Sequence, residues 1–250
     1  MSEYTTIFDA RGGHYNFANH RFPAARAEEA RAMLAHLALA ERPGGPWLDL
    51  AAGGGYLAER ARGEGVDRPA VACDASLPFL LESTRYRGRT VSQYERLPFA
   101  DRSFAAAGCL AALHHADDPA AIASEMLRVI LPGGRAAVGD VAPGSAPAAF
   151  LNDFVDRHTD TGHHGRFTPA ERYRDAFAAA GGRRVRAEVV DLAWRFPSRF
   201  AALEFARELF GLRPATSDAE IASALDGLGL AETGLDAVLP WRMIFVSAEC

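Results

Sequence analysis

An acidic residue and a glycine-rich turn carry the clearest chemistry in this sequence. Asp49 lies in the apolar run Trp47–Leu50, and the turn that follows contains Gly53 and Gly55. Glycine permits a sharp turn and a close approach of a ligand to the backbone, because it has no Cβ. A strand-end carboxylate can hold a ligand hydroxyl or ammonium, and the next helix adds unpaired N–H groups. This arrangement is typical of a site for an adenosyl ligand.

A second acid and two adjacent histidines extend the candidate site. Asp74 follows the apolar run 70–73, so it stands at the end of another predicted strand. His114 and His115 follow a third apolar run, 104–110. A base role for His114 is reasonable because imidazole titrates near neutral pH. The competing interpretation, favoured for at least one of the pair, is a structural histidine at a helix start or in the core.

Three more histidines, His158, His163 and His164, lie close together in the second half of the chain, beside aspartates. Their spacing matches no metal-binding pattern. We therefore predict no metal site and expect a solvated polar loop here. Because the segment follows a predicted strand end, His158 is the second candidate base after His114.

The elements that must position these residues alternate between strand and helix. Strands are predicted at 47–50, 70–74, 90–92, 104–110, 135–141, 185–192 and 241–248, of which 90–92 is a weak signal and 185–192 alternates between apolar and polar residues. Helical patterns separate them, including one from 77 to 84 and one that begins after Asp117-Asp118-Pro119. Such alternation predicts an α/β fold with a mostly parallel sheet and helices on both faces. Capping-box sequences at Thr168 and Ser217 predict two further helix starts.

The chain reads as one domain, 1–250, in three parts. Residues 1–44 form an N-terminal arm, irregular to residue 23, and a helix; residues 45–141 form the ligand-binding core. Residues 142–250 complete the sheet and carry helices at about 195–238. Roughly forty residues separate the last two predicted strands, far more than the two to five of a plain hairpin. An insertion of that length predicts a lid over the site.

Composition excludes several classes of function. The net charge of −5 gives no electrostatic footprint for nucleic acid. The sequence contains no lysine, which excludes a lysine Schiff base and a Walker-type phosphate site. The polar N-terminus lacks a signal peptide, and no apolar stretch is long enough to span a membrane, so we predict a cytoplasmic protein with no membrane partner. Oligomeric state stays open, with a homodimer considered.

In several motifs that occur in order, the sequence resembles the class I S-adenosylmethionine-dependent methyltransferases. The motifs are the acid and glycine turn at 48–55, Asp74, and the stretches 95–104, 112–118 and 125–135. The small-molecule branch that includes the quinone C-methyltransferases is the most similar, since 15–19 resembles its N-terminal tyrosine motif. Ala51 departs from the usual first glycine of the turn, and Gln93 stands where the family often has an acid.

The resemblance implies a Rossmann-like, seven-stranded sheet and S-adenosyl-L-methionine as cofactor. It implies that Asp49 contacts the methionine end and Asp74 the ribose. It further implies cofactor contacts at Tyr15, Ala51, Gly53, Gly55, Ala75, Gln93, Tyr94, Glu95, Leu110 and His115. The implied reaction is an in-line displacement in which the protein contributes positioning and desolvation.

The acceptor is expected to be a small molecule held by the arm and the lid. The predicted contacts are His14, His20, Phe150, Phe154, Trp194 and Phe200. Two alternatives stay open. One is a nicotinamide-dependent oxidoreductase on a similar sheet, which the absence of lysine disfavours, and the other is a cofactor-binding regulatory protein without transferase activity.

Overall fold

One mixed sheet forms the centre of the molecule. The computed structural model describes residues 3–83, 86–116, 118–234 and 236–250. The strands are β1 Trp47–Leu50, β2 Ala70–Asp74, β3 Gly88–Val91, β4 Phe104–Leu110, β5 Ile130–Val141, β6 Arg183–Phe196, β7 Ala231–Thr233 and β8 Asp236–Glu249. Seven of them follow the order β3-β2-β1-β4-β5-β8-β6, and β7 pairs with β8 off this path.

The first five strands are parallel, and β8 is antiparallel to β5 and β6. The predicted mostly parallel sheet is confirmed, but it has eight strands where seven were predicted. The extra strand, β7, is short, and its three residues are all exposed. Nearly every residue of β1 and β4 is buried, as expected for parallel strands covered on both faces.

Helices cover both faces of the sheet. They are α1 Glu3–Arg21, α2 Ala27–Leu37, α3 Tyr56–Gly63, α4 Leu77–Leu81, α5 Pro119–Val129, α6 Ala146–Phe150, α7 Asp156–His158, α8 Ala170–Ala179, α9 Arg199–Phe210 and α10 Asp218–Gly227. A π-helical turn, Leu151–Val155, joins α6 to α7, and a 3-10 turn, Leu113–His115, follows β4. Helices α2, α3, α9 and α10 bury apolar residues in one core cluster, and α5 and α8 do so in the other.

The N-terminal segment is helical, so the predicted irregular arm is wrong. Helix α1 spans 19 residues and buries a stripe of side chains at helical spacing. That stripe includes the polar residues Arg11, Asn16 and Asn19 together with apolar Ile7. Hydrophobic periodicity could not reveal this helix, because much of its buried face is not hydrophobic.

The two capping-box sequences behave differently. Ser217 forms the box, since its hydroxyl accepts from the backbone N–H of Glu220 and the Glu220 carboxylate accepts from the Ser217 N–H. Thr168 makes no such cap, and α8 begins after Pro169 with no side-chain cap at that position. Asp118 caps α5 at the predicted place; Asp117 and Thr84 lie outside the described residues.

The predicted lid corresponds to α9 and α10, which lie between β6 and β7. Helix α9 packs against α1, so the N-terminal helix and the insertion meet. Within the described ranges, no helix combines the length and the apolar character needed to cross a bilayer.

Candidate active site

The carboxylates of Asp49 and Asp74 lie side by side at the carboxyl ends of β1 and β2, both almost fully buried. Parallel pairing places Leu50 opposite Cys73, so the two strands end at the same edge. Burial in apolar surroundings disfavours the charged form of a carboxyl. Burial accordingly raises the pKa of Asp49 to about 7 and the pKa of Asp74 to about 6.

Asp74 accepts hydrogen bonds at both carboxylate oxygens. The backbone N–H of Gly53 donates over 2.8 Å and the Tyr4 hydroxyl over 2.9 Å to one oxygen, and the Ser76 N–H donates over 2.8 Å to the other. Asp49 accepts a 2.6 Å hydrogen bond from the Tyr86 hydroxyl. Each acid therefore already has a tyrosine hydroxyl as partner, in a position where a ligand hydroxyl could replace it.

The turn after β1 adopts the left-handed conformations that glycine favours. Gly53 has φ of 48° and Gly55 has φ of 98°. Ala51 also lies in this region, with φ of 57°, which costs an alanine about 1–2 kcal/mol. The altered first position of the turn therefore keeps the backbone path of a glycine, at some cost in strain.

A small cavity lies over this turn, and we call it the glycine-turn cavity. Its volume is about 30 Å³, and its lining includes Tyr4, Phe8, Tyr15, Asp49, Gly53 and Phe79. Cofactor-sized pockets occupy hundreds of cubic ångströms. The Phe79 ring covers Gly53 and the Asn16 amide covers Gly54, so closely that a Cβ at either glycine would collide. The acids and the turn fit an adenosyl ligand chemically, but side chains of α1 and α4 must move aside to admit it.

A second cavity of about 60 Å³ adjoins the first, and we call it the histidine cavity. Its lining includes Arg11, His114, His115, His163, Trp194 and Trp241. Phe8, Tyr15, Arg26 and Ala111 line both cavities. The two cavities therefore share part of their walls.

Asp140, at the end of β5, positions His114 in the histidine cavity. Its carboxylate accepts from the backbone N–H of His114 over 2.8 Å and lies 2.7 Å from Nδ1 of the same residue. The Val141 N–H also donates to this carboxylate over 2.7 Å. Because an ionised carboxylate only accepts, Nδ1 of His114 is the donor, and in a neutral imidazole the lone pair is then on Nε2.

A buried ion pair stands at the boundary of the two cavities. Arg26 and Glu29 are at most 3% exposed, and the guanidinium donates from Nε to the Glu29 carboxylate over 3.1 Å. Arg26 also donates to the hydroxyl of Tyr15, and Trp194 donates to Glu29 over 3.2 Å. This network links α1, α2 and β6 across the site.

The structure brings together part of the predicted cofactor set. Tyr15, Asp49, Ala51, Gly53 and Leu110 line the glycine-turn cavity. Asp74 and Ala75 are buried beside it, and Gly55 begins the helix after the turn. The Tyr94 ring is buried, with its centroid 5.6 Å from that of Tyr4. Gln93 is exposed and Glu95 is half-buried. His115 lines the histidine cavity and not the glycine-turn cavity.

Of the predicted acceptor contacts, Trp194 alone lines the histidine cavity. His14 and His20 are exposed and face Glu208 and Glu59. Phe200 is 68% exposed on the outer side of α9. Sequence spacing alone could not show which aromatic residues of the lid turn inward.

Phe150, Phe154 and His158 line a separate outer groove of about 920 Å³ against α10, and no strand end contributes to it. His158 stacks on Phe154 and lies 3.8 Å from the Glu220 carboxylate. The structure therefore places these three residues outside both cavities. His163 is buried and not solvated, which corrects the expected polar loop.

Several site residues were not identified from the sequence. They are Tyr4, Phe8, Arg11, Arg26, Glu29, Tyr86, Asp140 and Trp241. Asp140 falls at a predicted strand end of the kind where ligands bind, but nothing in the sequence assigned it a role. Tyr4, Phe8, Arg11 and Tyr15 recur at intervals of three or four, a helical signal that the two intervening glycines obscured.

The fold and the strand-end acids are similar to those of class I methyltransferase domains. Residues 48–138 match a family described as methyltransferase domain, which confirms the resemblance and the predicted fold class. A demethylmenaquinone methyltransferase from Beutenbergia cavernae is 40% identical over 121 residues, which are 47% of this chain and 50% of that protein. The chain therefore spans about half the length of this curated relative.

Solved structures share the fold at low sequence identity. Phosphoethanolamine N-methyltransferase 2 from Haemonchus contortus, in complex with S-adenosyl-L-methionine, superposes with a TM-score of 0.65 at 16% identity, over 98% of this chain and 59% of that one. The [4+2]-cyclase SpnF superposes with a TM-score of 0.61 at 18% identity, over 100% of this chain and 97% of that one. The fold is thus shared by proteins named for different reactions, so the reaction must be argued from the site.

Proposed function

We propose that the protein transfers a methyl group from S-adenosyl-L-methionine to a small-molecule acceptor. The observation that carries this proposal is the pair of adjoining cavities at the strand ends, one built from acids and a glycine turn and the other from aromatic and histidine side chains. A displacement reaction needs donor and acceptor in adjacent positions with water excluded. The methyltransferase family match favours this reading over the nicotinamide-dependent alternative.

Residues around the glycine-turn cavity would hold the methyl donor. Bound S-adenosyl-L-methionine supplies the electrophilic methyl group. The Asp74 carboxylate would accept from the ribose hydroxyls in place of the Tyr4 hydroxyl, and Asp49 would face the methionine end. Gly53 and Gly54 would allow close approach once Phe79 and Asn16 move away.

The acceptor side suits a flat aromatic molecule that carries an oxygen. Trp194 stacks on Trp241 at 4.0 Å between ring centroids, and both line the histidine cavity with the Arg11 guanidinium. Arg11 would attract a phenolate-type oxygen, and the indoles would pack against a ring. The similarity to a demethylmenaquinone methyltransferase agrees with a quinol-like acceptor. His114 is the proposed catalytic contact, because it lines this cavity and is oriented by Asp140.

The experiment has a binding arm and a transfer arm. S-adenosylhomocysteine is titrated calorimetrically into the wild type, Asp74→Asn, and Asp191→Asn, whose carboxylate is exposed at the sheet edge. We expect binding to the wild type, at least a tenfold loss in Asp74→Asn, since hydrogen bonds to a charged group contribute roughly 1.5–3 kcal/mol, and no change in Asp191→Asn. Wild-type protein that shows no binding at millimolar ligand would overturn the proposal.

The transfer arm uses labelled S-adenosyl-L-methionine with a reduced naphthoquinone acceptor. Labelled product supports methyl transfer. Cofactor binding without product from this acceptor or from a cell extract favours the regulatory alternative. A cytoplasmic location and a homodimer remain predictions from the sequence.

A further inference from the structure

Three buried histidines meet in the histidine cavity from two distant parts of the chain. His114 and His115 belong to the 3-10 turn after β4, and His163 belongs to the loop after α7. One ring nitrogen from each lies within 4.8 Å of the others. The ring centroids are 4.2 Å apart for His114 and His115, 5.3 Å for His114 and His163, and 5.1 Å for His115 and His163.

Two of these imidazoles are held by acceptors at Nδ1. Asp140 holds Nδ1 of His114 at 2.7 Å, and the side-chain oxygen of Asn152 lies 3.1 Å from Nδ1 of His163. Asn152 is itself fixed, because its oxygen accepts from the Gly165 N–H and its amide donates to the Gly165 carbonyl, both over 2.8 Å. Both histidines therefore donate from Nδ1, which leaves Nε2 as the nitrogen that a neutral ring can offer to a metal ion. This is how metal-binding histidines are oriented by neighbouring groups.

His115 has no such support. It is 8% exposed, and neither ring nitrogen finds a hydrogen-bond partner within the part of the chain that the structure describes. Leaving a buried polar group unsatisfied costs about 1–3 kcal/mol, so such groups call for an explanation. A ligand held in common with His114 and His163 would satisfy it.

We propose that His114, His115 and His163 bind a divalent transition-metal ion, which we take to be Zn²⁺. Three imidazoles and one open position form a common tetrahedral arrangement. With Zn–N bonds of about 2.0–2.1 Å, the ligand nitrogens of a tetrahedral site lie about 3.3 Å apart, so the present separations of up to 4.8 Å must shorten on binding. The cavity of about 60 Å³ accommodates an ion and one further oxygen ligand. This replaces the sequence-based expectation of no metal site.

The Arg11 guanidinium bears on the fourth position of this site. Arg11 lines the same cavity, so the fourth position favours an anionic oxygen over a neutral one. The metal proposal does not depend on methyl transfer. A metal-bound His114 would act on an acceptor oxygen through the ion, since its Nε2 would no longer be free.

The test measures metal binding to the purified full-length chain. After chelator treatment, Zn²⁺ is titrated in competition with a chromophoric chelator, and bound metal is counted by mass spectrometry. We expect one Zn²⁺ per chain. His163→Ala should weaken binding at least 100-fold, whereas His164→Ala should match the wild type, because the neighbouring His164 side chain is 73% exposed.

Co²⁺ substitution and a second variant separate a loss of metal binding from a loss of folding. In the wild type, Co²⁺ should give the visible absorption of a tetrahedral nitrogen site. His115→Phe fills a similar volume and should abolish that absorption while circular dichroism stays native. A wild type that binds no metal, or a His163→Ala protein that binds as well as the wild type, overturns the proposal. S-adenosylhomocysteine titration of the same samples reports separately on the proposed function.

Discussion

The two cavities lie side by side but are assembled in different ways. The glycine-turn cavity takes its acids and turn from residues 49–74, inside the segment that matches the methyltransferase domain family. The histidine cavity takes His114 and His115 from that segment, but it also draws on α1, α2, β6, β8, α9 and the loop after α7, all of which lie outside it. A short motif therefore fixes the acids and the turn of the glycine-turn cavity, whereas the histidine cavity depends on long-range packing.

The largest expected effect concerns the ion pair between Arg26, which lines both cavities, and Glu29, which lines the histidine cavity. Arg26→Met leaves the Glu29 carboxylate buried without its cation, which typically costs 3–5 kcal/mol. We expect a loss of that order in the free energy of unfolding, measured by urea denaturation.

The double variant Arg26→Met/Glu29→Gln is the matched control. It removes both charges and should recover a large part of the loss, because no unpaired charge remains. If the single and double variants are equally unstable, the ion pair does not join the two cavities in the way that the structure implies.

Asp49→Asn tests the glycine-turn cavity alone. Its expected effect follows from burial, which raises the pKa of Asp49 to about 7. In the unfolded chain Asp49 has an ordinary pKa near 3.9 and loses its proton near pH 4. In the folded protein it keeps the proton up to about pH 7. Over this window the folded state binds more protons, so stability falls as pH rises from about 4 to about 7. Asparagine removes this dependence and should stabilise the protein at pH 8, by at most roughly 4 kcal/mol at 1.36 kcal/mol per pKa unit.

The check is thermal or urea unfolding of both proteins between pH 4 and pH 8, with S-adenosylhomocysteine binding measured in parallel. We expect a gain in stability and a loss of ligand binding in the same variant. Unchanged stability at pH 8 would show that ionising the buried Asp49 carboxyl does not destabilise the folded protein.

The fold was largely predictable because its signals are local. Strands β1, β2 and β4 are continuous apolar runs, and Asp118 and Ser217 cap helices where their patterns predicted. Helix α1 was missed because its buried face contains Arg11 and Asn16. A hydrophobic pattern cannot report a helix that is buried partly through polar contacts.

The histidine cavity could not be read from the sequence for a related reason. His163 lies in a segment rich in charged and glycine residues, which reads as a solvated loop, yet it is buried beside His114. Its partner Asn152 is 11 residues away, and His114 is almost 50 residues away. No spacing rule connects such positions, whereas Asp49 and the glycines that follow it are connected by one turn.

Ser217→Ala tests the N-cap of α10, and Thr168→Ala serves as its comparison. Loss of a formed N-cap costs about 0.5–2 kcal/mol, so unfolding should become easier by about 1 kcal/mol. Thr168→Ala carries the same sequence signature without the hydrogen bond and should leave stability unchanged. Equal effects at the two positions would contradict the observed difference in capping.

The smallest effect, at Tyr4, probes whether α1 competes with the donor. The Tyr4 hydroxyl donates to Asp74 over 2.9 Å, on an oxygen that also accepts from the Gly53 N–H. Tyr4→Phe removes that bond from the ligand-free protein alone, because a ribose hydroxyl would take its place in the complex. A hydrogen bond contributes about 0.5–1.5 kcal/mol net, so affinity for S-adenosylhomocysteine should rise about two- to tenfold by calorimetry, with a slightly lower melting temperature of the free protein.

The matched control is Tyr173→Phe, a buried tyrosine of α8 that lines neither cavity and should leave affinity unchanged. Reduced affinity in Tyr4→Phe would instead make the tyrosine a ligand contact, and α1 would then act as part of the donor site and not as its competitor.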